Sequence, residues 1–244
     1  MLVKTYGCAV FGIEATIVTV EVNISNGVNF FLVGLPDSAV KESQQRIQAA
    51  LKNNGYKIPV KEITVNMAPA DIRKEGSAYD MTIAMGILAA SEQINPETIS
   101  DYLIMGELSL DGSLQPLKGV LPIAIEARKH GLKGIILPKQ NAREAAIVDG
   151  LDVYGVDNIK EVIDFFNEDV DLEKTIVNTR EEFYNKLLES DLDFKDVKGQ
   201  QNIKRAFEIA AAGGHNIILI GPPGAGKSML AKRLRFAPHL RLSA

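Results

Sequence analysis

The sequence predicts a mixed α/β fold that leads into a second, phosphate-loop unit. Three observations carry that reading. Strand-like apolar stretches alternate repeatedly with helical ones, the order that builds a sheet with at least some parallel pairing. Ala15–Ile24 is rich in β-branched residues with period-two character. Towards the end, the apolar run Asn216–Ile220 feeds a glycine-rich loop and then a helical pattern.

Taken in order, the opening segment alternates as strands do, and Ala15–Ile24 is its clearest part. Ser25-Asn26-Gly27 reads as a tight turn into a second strand, Val28–Val33, so a hairpin is expected. Gly34-Leu35-Pro36-Asp37 turns into a helix over Ser38–Asn53, with Val40, Ile47, Ala50 and Leu51 at helical spacing. A strand over Glu62–Met67 follows, then a loop from Pro69 to Gly76 and a helix over Ser77–Ala90. Tyr102–Leu110 reads as one strand closed by Asp111-Gly112, and Val120–Lys129 as a helix stopped by Gly131. Ile135–Leu137 and Asp152–Val156 read as short strands. No internal repeat or low-complexity tract interrupts the pattern.

Composition bounds the function. With 244 residues, 46% apolar and 24% charged, the chain has the material for a sizeable core. A formal net charge of −4 argues against binding nucleic acid by bulk charge, although Lys227, Lys232, Arg233, Arg235 and Arg241 make the last stretch locally basic. Cys8 is the single cysteine, so neither an internal disulfide nor a cysteine metal cage is available, and it reads as a small apolar residue on a strand. His130, His215 and His239 are scattered without ligand spacing. No secretory signal or bilayer-length apolar segment is expected, which predicts a cytoplasmic protein.

From Glu168 to Asp196 the composition turns acidic, with Glu181, Glu182, Glu189, Asp191 and Asp193 among others. It reads as a solvated connection with one helix. The expected organisation is a first domain over 1–165, a linker over 166–195, and the start of a phosphate-loop domain over 196–244. Within the last, Gln200–Ala212 is an amphipathic helix ended by Gly213-Gly214, and Ile217–Ile220 a short buried strand.

Gly221-Pro222-Pro223-Gly224-Ala225-Gly226-Lys227-Ser228 fits G-x-x-x-x-G-K-[ST] without deviation, between a predicted strand and a predicted helix over Lys227–Leu234. The chemistry explains the residue types. Gly221, Gly224 and Gly226 let backbone amides wrap a phosphate, and the helix start adds unpaired N–H groups and a positive dipole end. Lys227 is placed to reach β- and γ-phosphates, and Ser228 to give Mg²⁺ a hydroxyl ligand. ATP with Mg²⁺ is the expected cofactor. Hydrolysis needs an acidic strand end and commonly an arginine from later strands. The tail Arg235–Ala244 contains no Asp or Glu, so ATP binding without hydrolysis is the expectation.

With these motifs in view, the chain resembles the ComM-like, magnesium-chelatase-related AAA+ ATPases. The resemblance is carried by VGLPDSAVKESQQRIQAAL, MAPADIRKEGSAYDMTIAMGIL, GELSLDGSLQPLKGVLPIA and DVKGQQNIKRAFEIAAAGGHNIILIGPPGAGKS, spread over most of residues 1–234. It implies a Lon-protease-like first domain, of ribosomal-protein-like β-α type, followed by an AAA+ motor. Full-length relatives are hexameric, DNA-acting ATPases of the helicase type. After about Leu234 the sequence diverges from the family, as a truncated or frameshifted reading frame would.

The Lon likeness raises a serine–lysine peptidase as a rival. A K-D-G-P-S-A-G stretch would carry the serine, yet Lys74-Glu75-Gly76 puts Ala78 at its place, with Ser77 one position early. In the run beginning at Pro116, Leu121 holds the place of the lysine and Lys118 is displaced by three. Ser77-x-x-Asp80 reads instead as a helix N-cap. The charged loop Arg73-Lys74-Glu75 reads as solvated. Two readings therefore stand ahead of the peptidase: an ATP-binding member of the family, and a non-catalytic assembly module with a vestigial loop.

Overall fold

The computed structural model describes residues 1–178 and 194–234. It divides into two compact units, Met1–Val177 and Asn178–Ala244. The expected linker helix, the acidic residues Glu181, Glu182, Glu189, Asp191 and Asp193, and the tail with Arg235, His239 and Arg241 lie outside the described residues.

The first unit is built on a mixed sheet. Its strands are β1 (Leu2–Phe11), β2 (Glu14–Ser25), β3 (Phe30–Val33), β4 (Glu62–Ala68), β5 (Tyr102–Ile104), β8 (Gly134–Pro138) and β9 (Asp152–Val156). The order is β3-β4-β2-β1-β5-β8-β9. β1–β2 and β2–β4 pair antiparallel, whereas β3–β4, β1–β5, β5–β8 and β8–β9 pair parallel. β6 (Glu107–Leu108) and β7 (Leu114–Gln115) form a separate ribbon. The expected mixture of pairings is present.

The pairing corrects the expected hairpin. β2 and β3 are not neighbours, because β4 lies between them. The hairpin partner of β2 is β1, through the turn at Gly12-Ile13, closed by Phe11↔Glu14. The reason is burial: alternate residues Ile63, Val65 and Met67 of β4 are fully buried, so this strand belongs inside the sheet. β3, half-exposed, suits the edge.

Helices supply the rest of the core. The expected helix over 38–53 is interrupted at Glu42, giving α1 (Ser38–Lys41) and α2 (Ser43–Asn53). Asp37 caps α1, its Oδ1 accepting the Val40 amide at 2.8 Å. α3 (Asp80–Ala90) is buried at every position, its first residue Asp80 included. It starts three residues later than expected, at a Tyr79 N-cap without a side-chain bond, so Ser77 is not a cap. The Ser77 hydroxyl donates to Glu107 instead. The expected single strand over 102–110 breaks at Met105-Gly106, where a Cβ on Gly106 would stand 2.7 Å from Leu114 Cδ2. α4 (Val120–Lys129) forms as expected; α5 (Lys139–Ala145) and α6 (Ile159–Phe166) add cover. Asn158 and Glu161 make a complete capping box at the start of α6.

In the second unit, α7 (Gln201–Gly213) ends on Gly214 in the left-handed region, φ +64°. α8 (Lys227–Leu234) follows the glycine-rich loop. The expected buried strand at Ile217–Ile220 is absent: no described residue pairs with it, and Ile218 and Ile220 are 81% and 88% exposed. A strand needs a ladder partner, and an unpaired apolar run cannot bury both faces. Ile217 and Leu219, on the other side, pack on a small cluster of Val197, Phe207 and Leu230.

Candidate functional site

The glycine-rich loop is shaped by its conformational demands. Gly224 and Gly226 take φ of +81° and +77°, which an L side chain adopts only with strain. The Ala225 amide donates to the Pro222 carbonyl at 3.3 Å, closing the turn. In α8, Leu230 returns its amide to the Gly226 carbonyl at 3.0 Å. The amides of Lys227, Ser228 and Met229 precede any intrahelical acceptor, so the helix start is a set of free donors beside the loop.

Lys227 folds over the loop. Its Nζ donates to the carbonyls of Gly221 and Pro222, each at 2.8 Å. Loop residues Gly221–Ala225 and Ser228 are exposed; Gly226 and Lys227 are half-buried. The motif thus runs from a turn over Gly221–Gly226 into the first two residues of α8, Lys227 and Ser228. The residues fit a nucleotide triphosphate: the glycine positions leave the amides open, the lysine amine is held at the loop, and the Ser228 hydroxyl is reachable by a cation.

In the same unit, Phe194 and Phe207 pack with their rings tilted and the centroids 5.6 Å apart. Lys204 Nζ donates to the Val197 carbonyl, and Arg233 pairs with Asp196 at 3.8 Å. These contacts tie the segment before α7 to α7 and to α8.

The first unit holds a second feature, a cavity of about 360 Å³ lined by Cys8–Gly12, Ala78, Tyr79, Met105 and Leu117–Gly119, among others. Ala78 and Lys118, two positions weighed for a peptidase, both line it; its lining contains no serine. Leu121 is half-buried and donates its amide to Glu144 Oε1 at 3.1 Å. Burial pushes the Cys8 thiol up to about 12, with Glu126 reinforcing the shift, so no reactive thiolate faces this space at neutral pH.

Sequence reasoning missed the polar network beside this cavity. Lys74, expected in a solvated loop, is completely buried; its Nζ donates to the carbonyls of Gly34, at 2.9 Å, and Pro69. Desolvation lowers its pKa, and Asp71 opposes that shift. Arg46 holds the buried Asp80 carboxylate through Nε at 2.6 Å and Nη2 at 2.9 Å, and the Leu108 amide adds a third donor at 3.2 Å. Burial pushes the Asp80 carboxyl up, and those donors pull it back. Asp80 gave a signal as a polar residue opening an apolar helix. Nothing local marks Lys74, whose acceptors are backbone carbonyls.

Comparison with known proteins adds the following. Residues 20–141 match the family described as subunit ChlI of Mg-chelatase, and residues 193–241 match magnesium chelatase, subunit ChlI. The chain is 44% identical to the competence protein ComM of Haemophilus influenzae over 234 residues, covering 96% of this chain and 46% of that protein. It is 43% identical to the uncharacterized protein YifB of Escherichia coli over 227 residues, 93% of this chain and 44% of that one. A more distant similarity, 30% over 129 residues, links 52% of this chain to 23% of Lon protease 2 of Bacillus subtilis. The chain spans about half the length of the curated relatives it matches most fully.

Proposed function

We propose, from the premise that this chain belongs to the magnesium-chelatase ChlI family shared with ComM and YifB, that its second unit binds ATP with Mg²⁺ through Gly221–Ser228. One observation carries the reading: left-handed Gly224 and Gly226 open the loop's backbone beside the start of α8, and Lys227 is already held there by two loop carbonyls. In that arrangement the loop amides and helix start receive phosphate oxygens. Lys227 exchanges its carbonyl partners for the β- and γ-phosphates, and Ser228 offers its hydroxyl to Mg²⁺. The bound nucleotide supplies the phosphoanhydride. This stretch supplies its cradle.

Action on DNA, assembly into a ring, turnover of ATP and a cytoplasmic location are proposed for the whole protein, on the strength of the family resemblance and its AAA+ character. Among the described residues no helix is long and apolar enough to cross a membrane.

Calorimetric titration of Mg-ATP into the chain tests the reading. Saturable binding in the micromolar range, lost in Lys227→Ala with an unchanged circular dichroism spectrum, is the expected result. No heat of binding in the parent chain overturns it. The assembly-module reading then takes its place, favoured by the solvent-exposed Ile218 and Ile220 behind the loop.

A further inference from the structure

β1 has two neighbours over only part of its length. β2 pairs with it to the hairpin end at Phe11↔Glu14, whereas β5 meets it at Tyr6↔Leu103 and stops at Ile104. Cys8 to Phe11 therefore present a strand edge without a ladder partner among the described residues. Tyr79 shows which way that edge faces. Its hydroxyl donates to the Cys8 carbonyl at 3.1 Å, so that carbonyl is turned away from β2. Main-chain groups alternate along a strand, so the N–H and carbonyl of Val10 are turned the same way.

That side is the cavity of about 360 Å³. Ala78, Met105, Leu117 and Ile123 give it apolar walls. Gly119, at φ +71°, keeps the far wall open; a Cβ there would stand 3.2 Å from Val10 Cγ1. At the rim, Arg73 and Glu75 neutralise one another at 3.4 Å. Lys118 is exposed and pairs with no carboxylate among the described residues, leaving the rim one net positive charge.

We propose that this cleft receives an extended peptide, added as a strand along Cys8–Phe11, with apolar side chains against the walls and an acidic side chain against Lys118. An unpaired strand edge supplies affinity through main-chain hydrogen bonds, and the pocket and the lysine supply selectivity. The cleft recognises; it contains no serine to attack the bound peptide. Cys8 and Ala9 are buried and Tyr79 occupies the Cys8 carbonyl, so the groups left for pairing are those of Val10, and Lys118 is the rim cation that selects what pairs with them.

The test is fluorescence anisotropy of the whole chain with a fluorescein-labelled hexapeptide, TVEVTV. Saturable binding is expected. Methylating alternate backbone nitrogens of the peptide should weaken it by at least about tenfold, and replacing the glutamate by glutamine by about threefold. Lys118→Ala should erase the difference between the glutamate and glutamine peptides. Val10→Pro, which removes one outward N–H, should abolish binding; if that variant fails to fold, the methylated peptide decides the matter on the parent chain. Three results would overturn the proposal: no saturation, equal binding of the methylated peptide, or a glutamate preference that survives Lys118→Ala. A fourth is a dimer of this chain, dissolved by Val10→Pro and indifferent to the peptide, which would mean that a second copy covers the edge.

Discussion

In Met1–Val177, β4 lies between β2 and β3 with Ile63, Val65 and Met67 fully buried. In Asn178–Ala244, the wholly apolar Ile217–Ile220 has no strand beside it among the described residues, and its alternate side chains stand in solvent. Each stretch turns alternate apolar side chains towards a buried cluster. What separates them is supply of neighbours: one is covered by a sheet and helices, the other by a cluster of three buried residues, Val197, Phe207 and Leu230. The glycine-rich loop is thus mounted on the less supported unit, and local glycine geometry carries its shape more than packing does.

The largest expected contrast is in amide hydrogen exchange. Amides of β1, β2 and β4 should exchange at least about a thousandfold more slowly than those of 215–226, because opening the former means unfolding the sheet. Uniform protection across both units, read by mass spectrometry, would remove the contrast. Next is Arg46→Ala, which leaves the Asp80 carboxylate buried without its bidentate partner and should cost the first unit about 3 kcal/mol in urea denaturation. A loss under 1 kcal/mol would show that Asp80 folds neutral.

Equal truncations sharpen the comparison. Ile83→Ala in α3 should cost about 3 kcal/mol, and Leu230→Ala in α8 about 1 kcal/mol, because the second site has few neighbours to lose and can collapse. The smallest effect is alkaline. The unfolded Cys8 thiol ionises near 9.0, but in the fold it does so only near 12. Its contribution is therefore fully present below about pH 9 and is lost as pH rises towards 12. Relative to Cys8→Ala, the parent should lose about 1 kcal/mol between pH 8 and 10. Parallel stability curves for the two proteins would contradict that.

What could be read from the sequence follows from how local each signal is. Gly221–Ser228 is contiguous, so its spacing alone displays the chemistry, and Val120–Lys129 shows its helix through its own period. β-pairing is decided at a distance. Ser25-Asn26-Gly27 is a sound turn, but nothing near it says that β4 will enter beside β2. The start of α3 was hidden for a related reason: Ser77 has a local use as a cap and a distant one with Glu107, and the distant one wins. Ile217–Ile220 reads as a strand by composition, and composition supplies no partner. The capping box Asn158–Glu161 was legible and would have revealed α6. Lys74 was not, since loop and buried lysines look alike until their acceptors are known.

The placement of β4 also bears on how the chain is made. As it leaves the ribosome, β1 and β2 can pair within microseconds, being joined by a two-residue turn. The other edge of β2 then waits for Glu62–Ala68, roughly a few seconds of elongation later. β3, already synthesised, has nothing to join until that same segment arrives. For that interval the nascent chain displays Val20, Val22 and Ile24 along an unclosed ridge, and this is the window in which a chaperone would find it.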